Sequence, residues 1–186
     1  MALERLYRTN VFLGLAEPEA FADRNAPTAD ELNDAVATIN WTGGLVHNIT
    51  CALWEDETEF TLGDPDTDTG LTYCSEAGIE SPTFDNPTVT STALRDLNRL
   101  NAATAATANG VFNQAFELLA WPDREFIAVK RVGFDSDVPF AVGQDVRLVQ
   151  IRTGVPTDVG SGTDNTRIQN QFLAQSWLNW NYRITA

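Results

Sequence analysis

The chain has one histidine, one methionine, one lysine and two cysteines in 186 residues. Cys51 and Cys74 cannot make a disulfide framework. Both lie in strand-like sequence, where buried thiols are expected. One His and two Cys at these positions match no zinc-finger spacing. His47 falls on the mostly apolar face of a candidate strand, where a satisfied core or interface histidine is the ordinary explanation. No Gly-x-Ser-x-Gly elbow or Walker loop is present, and Gly160-Ser161-Gly162-Thr163-Asp164-Asn165 lacks the third glycine and the following helix of a dinucleotide site. With 26 acids, paired carboxylates for glycoside chemistry carry no diagnostic weight. An enzyme is therefore not expected, nor a cofactor or bound metal. No run of about 18 apolar residues occurs, so no membrane-spanning helix is expected. MALERLYRTN has no basic segment leading into an apolar one, so no secretory leader is expected and the sequon Asn48-Ile49-Thr50 reads as accidental.

Base is also missing from a long stretch. Residues 25–94 hold thirteen acids and no Lys or Arg, whereas the rest carries thirteen acids against twelve bases. Nearly all of the net charge of −14 thus belongs to one segment. That segment argues against tight nucleic-acid binding through it, because phosphate contacts need Lys or Arg. Its densest parts are Glu55, Asp56, Glu57 and Glu59, followed by Asp64, Asp66 and Asp68 in GDPDTDTG.

The second run superficially suggests a calcium loop. An EF-hand needs Gly at position 6 and a bidentate Glu at position 12. Counted from Asp64, those positions are Thr69 and Ser75, and the neighbouring sequence reads as strand rather than helix. The EF-hand reading fails, and GDPDTDTG reads as a polar turn.

What the chain does have is apolar bulk in period-2 patterns: 43% hydrophobic residues, five Trp and ten Phe, enough for one domain with a proper core. Val11–Leu15 reads as an early strand. Residues 45–54 read as a second, with Leu45, His47, Ile49, Cys51 and Leu53 on one face. Phe60 and Leu62 mark a third, between acid-rich turns at Glu55–Glu57 and Asp64–Gly70, and strand sequence resumes at Leu71–Cys74 and around 83–95. The last strand is the longest: Ile168, Phe172, Ala174, Leu178, Trp180, Tyr182 and Ile184 alternate with polar residues, and its length predicts a bulge near Ser176. Two helices are expected. One follows a Thr28/Glu31 capping box and carries Leu32, Ala35, Val36 and Ile39; the other follows Asn109, carries Val111, Phe112, Ala115, Phe116 and Leu119 on one stripe, and ends at Trp121-Pro122.

Residues 126–160, with Phe126–Gly133, Asp137-Val138-Pro139-Phe140-Ala141-Val142-Gly143 and Val146–Thr153 following the helix, resemble the C-terminal half of major tail tube proteins of long-tailed (siphovirus-type) bacteriophages. APTADELNDAVATINWTG is similar to that family's lead into its first sheet, and the strand from Arg167 onward resembles its last. The resemblance implies a mainly β single domain spanning residues 1–186: two packed antiparallel sheets with a flanking helix and a long inter-strand loop, here Glu55–Tyr73. It implies a structural virion protein, made in the bacterial host cytoplasm, whose hexameric rings stack into a tube that conducts the genome. The implied partners are further copies of the chain, a tape measure protein, tail terminator or tip proteins, and DNA passing without specific binding; no membrane is involved.

On that reading the acids Glu55, Asp56, Glu57, Glu59, Asp64, Asp66 and Asp68 line the lumen or meet the next ring. Arg95, Arg99, Arg147, Arg152 and Arg167 are the candidate interface bases. The alternative within the same architecture is a contractile-type or secretion-system tube protein. The competing class is an acidic extracellular β-sandwich that binds calcium or carbohydrate.

Overall fold

In the computed structural model, residues 10–33, 45–62, 66–70, 79–84, 87–94, 111–160 and 167–185 are described. The strands are β1 (Val11–Ala16), β2 (Val46–Asn48), β3 (Glu59–Leu62), β4 (Asp66–Gly70), β5 (Ile79–Phe84), β6 (Pro87–Leu94), β7 (Glu125–Val132), β8 (Asp145–Thr153), β9 (Thr157–Val159) and β10 (Arg167–Arg183). The helices are α1 (Ala29–Asn33) and α2 (Val111–Leu119). The fold is mainly β and every pairing is antiparallel, as expected.

The main sheet runs β2-β1-β7-β8-β10-β6-β3, with β9 beside β10. It curls over on itself, so its packed layers are parts of one continuous sheet. Residues 46–62 link the two ends: Val46 lies opposite Ala16 on β1, Leu53 bridges Ala93 on β6, and Phe60 lies opposite Val89. Strand alternation sorts the side chains between two cores. Leu15, Phe60, Val89, Phe126, Ala128, Val149, Ile151 and Phe172 fill the inside of the curl, together with Ala115, Leu118 and Leu119 of α2. Phe12, Ile127, Val129, Val146 and Leu148 face the other way and are covered by Leu32 of α1, Phe21 and Phe140. Burying each such large side chain contributes about 1.5–3 kcal/mol.

α1 has the capping box read from the sequence: Thr28 Oγ1 accepts from the Glu31 amide at 3.3 Å, and Glu31 Oε2 accepts from the Thr28 amide at 2.7 Å. Burial pushes the Glu31 carboxyl up, but the bonds from Ala22 and Thr28 outweigh it and hold the carboxyl below its ordinary range. The continuation past Asn33, the Asn109 cap and the strand at Leu71–Cys74 lie outside the described residues. β10 has its expected irregularity, with register shifts beginning between Ala174 and Ser176.

The strand expected over 45–54 is instead the three residues of β2 followed by a 3-10 turn at Thr50–Ala52. Asn48 Oδ1 accepts from the Thr50 amide, and Thr50 Oγ1 accepts from Leu13 N at 2.8 Å while its single proton is shared between Asn48 Oδ1 and Leu13 O at 2.8 and 3.0 Å. Ile49 N still donates to Leu13 O at 3.2 Å, but the Thr50 side chain takes the Leu13 amide that the next backbone carbonyl would otherwise accept from, and the chain turns. Cys51 consequently lies exposed rather than buried; Cys74 lies outside the described residues.

Candidate functional site

Glu55, Asp56 and Glu57 form a 3-10 turn directly before β3. The turn is tied to β6: Trp54 N donates to Thr92 O at 2.7 Å, and Thr92 Oγ1 donates to Glu57 O at 3.3 Å. Glu55 and Asp56 are exposed, as is Glu59, which accepts from Thr61 Oγ1 at 2.7 Å. Glu57 is different. It receives Arg167 Nη1 at 2.7 Å, and the same guanidinium sits 5.2 Å from the centre of the Trp54 ring. One candidate acid and one candidate base thus neutralise each other within a single chain.

Beyond β3 the acids run along a β-arm. β4 and β5 pair only with each other, yet they continue the register of β3 and β6: Leu62 faces Pro87 and Thr67 faces Pro82, five residues further along each strand. Asp66 and Asp68, expected in a turn, are strand residues opposite Phe84 and Ser81. Their own strand propensity is poor, but Thr67 and Thr69 alternate with them and β5 supplies a full ladder. From Glu59 to Leu94 the sequence contains seven acids and no base. Asp64, Arg95 and Arg99 lie outside the described residues.

The remaining candidate bases sit at the two ends of β8. Arg147 lies directly opposite Lys130 of β7. The Arg147 guanidinium is 4.7 Å from the Trp180 ring centre, Lys130 Nζ is 5.5 Å from that of Phe60, and the two rings stack at 5.5 Å. This cation–aromatic stack joins β3, β7, β8 and β10, and so fastens the curl of the sheet. At the far end of β8, Arg152 Nη1 reaches Asp123 at 3.2 Å. A third feature is the second edge of β10. β10 pairs with β6 only up to Phe172, whereas β8 follows it to Arg183. Over residues 173–183 no described strand pairs with the other edge.

Several organising residues were not singled out from sequence. Glu17 Oε1 lies 3.3 Å from Arg124 Nη2 and 3.5 Å from His47 Nε2. Burial lowers the His47 pKa; Glu17 opposes that shift and Arg124 adds to it. Arg131 is fully buried, donating to the carbonyls of Asp135, Val138 and Pro139 and to Gln144 Oε1. Burial lowers its pKa. Asn170 is buried among Leu119 O, Gly154 N and Gly154 O. Its only sequence signal is a polar residue on the even, apolar register of β10.

Among the described residues no cluster of three or more His, Cys, Asp or Glu is arranged to hold a metal ion, and no helix is long and apolar enough to cross a membrane. What the arrangement offers is a strand edge that no described strand pairs, a base-free acidic arm and charge pairs satisfied internally. A family model described as "Phage tail tube protein" matches residues 8–184. No curated protein matches the chain.

Proposed function

Because the chain belongs to the phage tail tube protein family, whose members are structural parts of the virion tail, we propose that its copies close into hexameric rings which stack into the conduit for genome ejection. The observation that carries this reading is the second edge of β10 over residues 173–183, which no described strand pairs. A long unpaired ladder invites strand addition, and closing a ring of identical copies removes every such edge. Stacked rings then form an open-ended filament. A tape measure protein inside the tube and terminator or tip proteins at its ends are the further partners of this reading.

The acids of the arm suit a conduit that must not hold its cargo. Carboxylates on a lumen repel phosphate, and the seven in the sequence from Glu59 to Leu94 have no base between them to offset the field. The other assignment puts the arm against arginines of the next ring. Glu57 is a poor probe of this choice, because its bond to Arg167 confounds folding with assembly. Glu59, Asp66 and Asp68 are better. For a lumenal arm, Glu59→Lys, Asp66→Lys and Asp68→Lys together leave tubes intact by electron microscopy and slow DNA ejection. For an arm that stacks rings, the same protein stops at single rings. Normal tubes with normal ejection would remove the arm's acids from both roles.

A further inference from the structure

Eight large apolar side chains are exposed among the described residues, and six of them lie at the two ends of the β7–β8 hairpin. Val132, Phe134, Val138 and Val142 occupy its turn end, residues 132–142, with Val142 61% exposed. Trp121 and Val155 occupy the open end, at 63% and 77% exposure, where the chain enters β7 and leaves β8. Thr153 Oγ1 donates to Trp121 O at 2.8 Å, which holds these two segments together. β7 is eight residues long, so the two ends lie about 25 Å apart at roughly 3.3 Å per residue.

Neither end is a slack loop. The turn end is held by Arg131 from inside, by Asn33, which bonds both the amide and the carbonyl of Phe140, by Asn48 Nδ2 on Ser136 O, and by Gly143 N on Ile184 O. Gly133 and Gly143 take positive φ values of 102° and 90° at its two corners, a conformation that side-chain-bearing residues resist. Apolar groups displayed on backbone this well anchored lose little entropy when covered. Both ends also carry charged side chains that can pair across such a contact. The turn end carries Asp135 and Asp137; of the bases beside it, Arg131 is buried and Arg183 is paired with Asp145. The open end carries Arg24, Arg124 and Arg152, partly exposed and each beside one carboxylate, with guanidinium donors left to offer a second acid.

We propose that the turn end of one copy docks on the open end of the next along the tube axis, Val142 and Phe134 packing against Trp121 and Val155 while Asp135 and Asp137 meet Arg124 and Arg152. Two different patches at opposite ends of a rigid element make a heterologous contact, which propagates without closing. This rests on the reading that copies stack into a tube, and it places the stacking contact on residues distinct from the acidic arm.

The test uses Val142→Asp at one end and Val155→Asp at the other, beside the wild-type protein, followed by electron microscopy and sedimentation. Both positions are exposed, and an unchanged unfolding midpoint verifies folding. The expected result is single rings from each variant, with tubes lost at least tenfold relative to wild type. Tubes of normal length, or loss of the rings themselves, would overturn the contact. A positive arm works in Cys51→Ser, Cys74→Ser protein. Mixed Val142→Cys and Val155→Cys copies should give a disulfide-linked heterodimer in assembled material, and either variant alone should give none. Homodimers from one variant would overturn the head-to-tail geometry. If wild-type protein formed neither rings nor tubes, the tube reading itself would fall, an outcome distinct from failure of these variants.

Discussion

Arg167 donates to Glu57 at 2.7 Å, pinning the acidic turn before β3 to the first residue of the 17-residue final strand. Arg167 also covers the Trp54 ring, so one side chain holds turn and strand together. Replacing it with Ala leaves Glu57 half-buried without its cation and should cost about 2 kcal/mol, the range for hydrogen bonds to charged groups. Arg167→Lys keeps the charge but not the fork and should fall between the two. Urea unfolding midpoints measure both. An Ala variant as stable as wild type would show the pair to be incidental.

Arg131 should be among the least replaceable residues of the chain. It satisfies three loop carbonyls and Gln144 from a buried position, with its guanidinium 4.2 Å from the Phe140 ring centre. Arg131→Met and Arg131→Lys should each lose about 2–4 kcal/mol, because neither reproduces the planar fork. Hydrogen exchange should show the loss concentrated in residues 133–144. Protection that falls evenly across the molecule would argue against a local clamp.

Asn170 and Gly154 form a second such junction. Asn170 joins the C-terminal end of α2 to the turn after β8, and a Cβ on Gly154 would collide with the Gln171 carbonyl. Asn170→Leu should destabilise by about 1–3 kcal/mol through the buried partners it strands. Gly154→Ala should also destabilise, since the obstacle is backbone. Thermal unfolding decides both, and a neutral Gly154→Ala would mean that the strand shifts freely.

The single histidine gives stability a pH dependence above the carboxylate range. Burial, opposed by Glu17 and assisted by Arg124, keeps the His47 pKa below its ordinary value in the fold. The unfolded chain therefore binds the proton more readily. This contribution is complete above about pH 6.5 and declines as pH falls from there toward the folded pKa. His47→Gln should flatten the stability profile as pH falls below about 6.5. An unchanged slope would assign it to other groups.

Much of the architecture was legible because it rests on strong periodicity. The alternation of Ile168, Phe172 and Tyr182 predicted β10 and its bulge, and Thr28 with Glu31 predicted the start of α1. The misreadings have local causes. The Thr50 side chain takes the Leu13 amide in place of a backbone carbonyl, so the strand at 45–54 stops early and Cys51 turns outward. Asp66 and Asp68 look like turn residues by propensity, but their strand is set by a partner from Ile79 to Phe84. Among the candidate charges, the pairing of Glu57 with Arg167 spans 110 residues, and no local pattern encodes it. Arg131 looks like any strand-end base until the following loop folds over it.

The most direct measurement is electron microscopy of the purified full chain at rising concentration, with and without chelator. A tail tube subunit should give rings and hollow tubes of uniform width built from six-fold rings, unaffected by chelation. A protein that stays monomeric at every concentration, or whose state depends on calcium, would contradict the account and favour an acidic binding module.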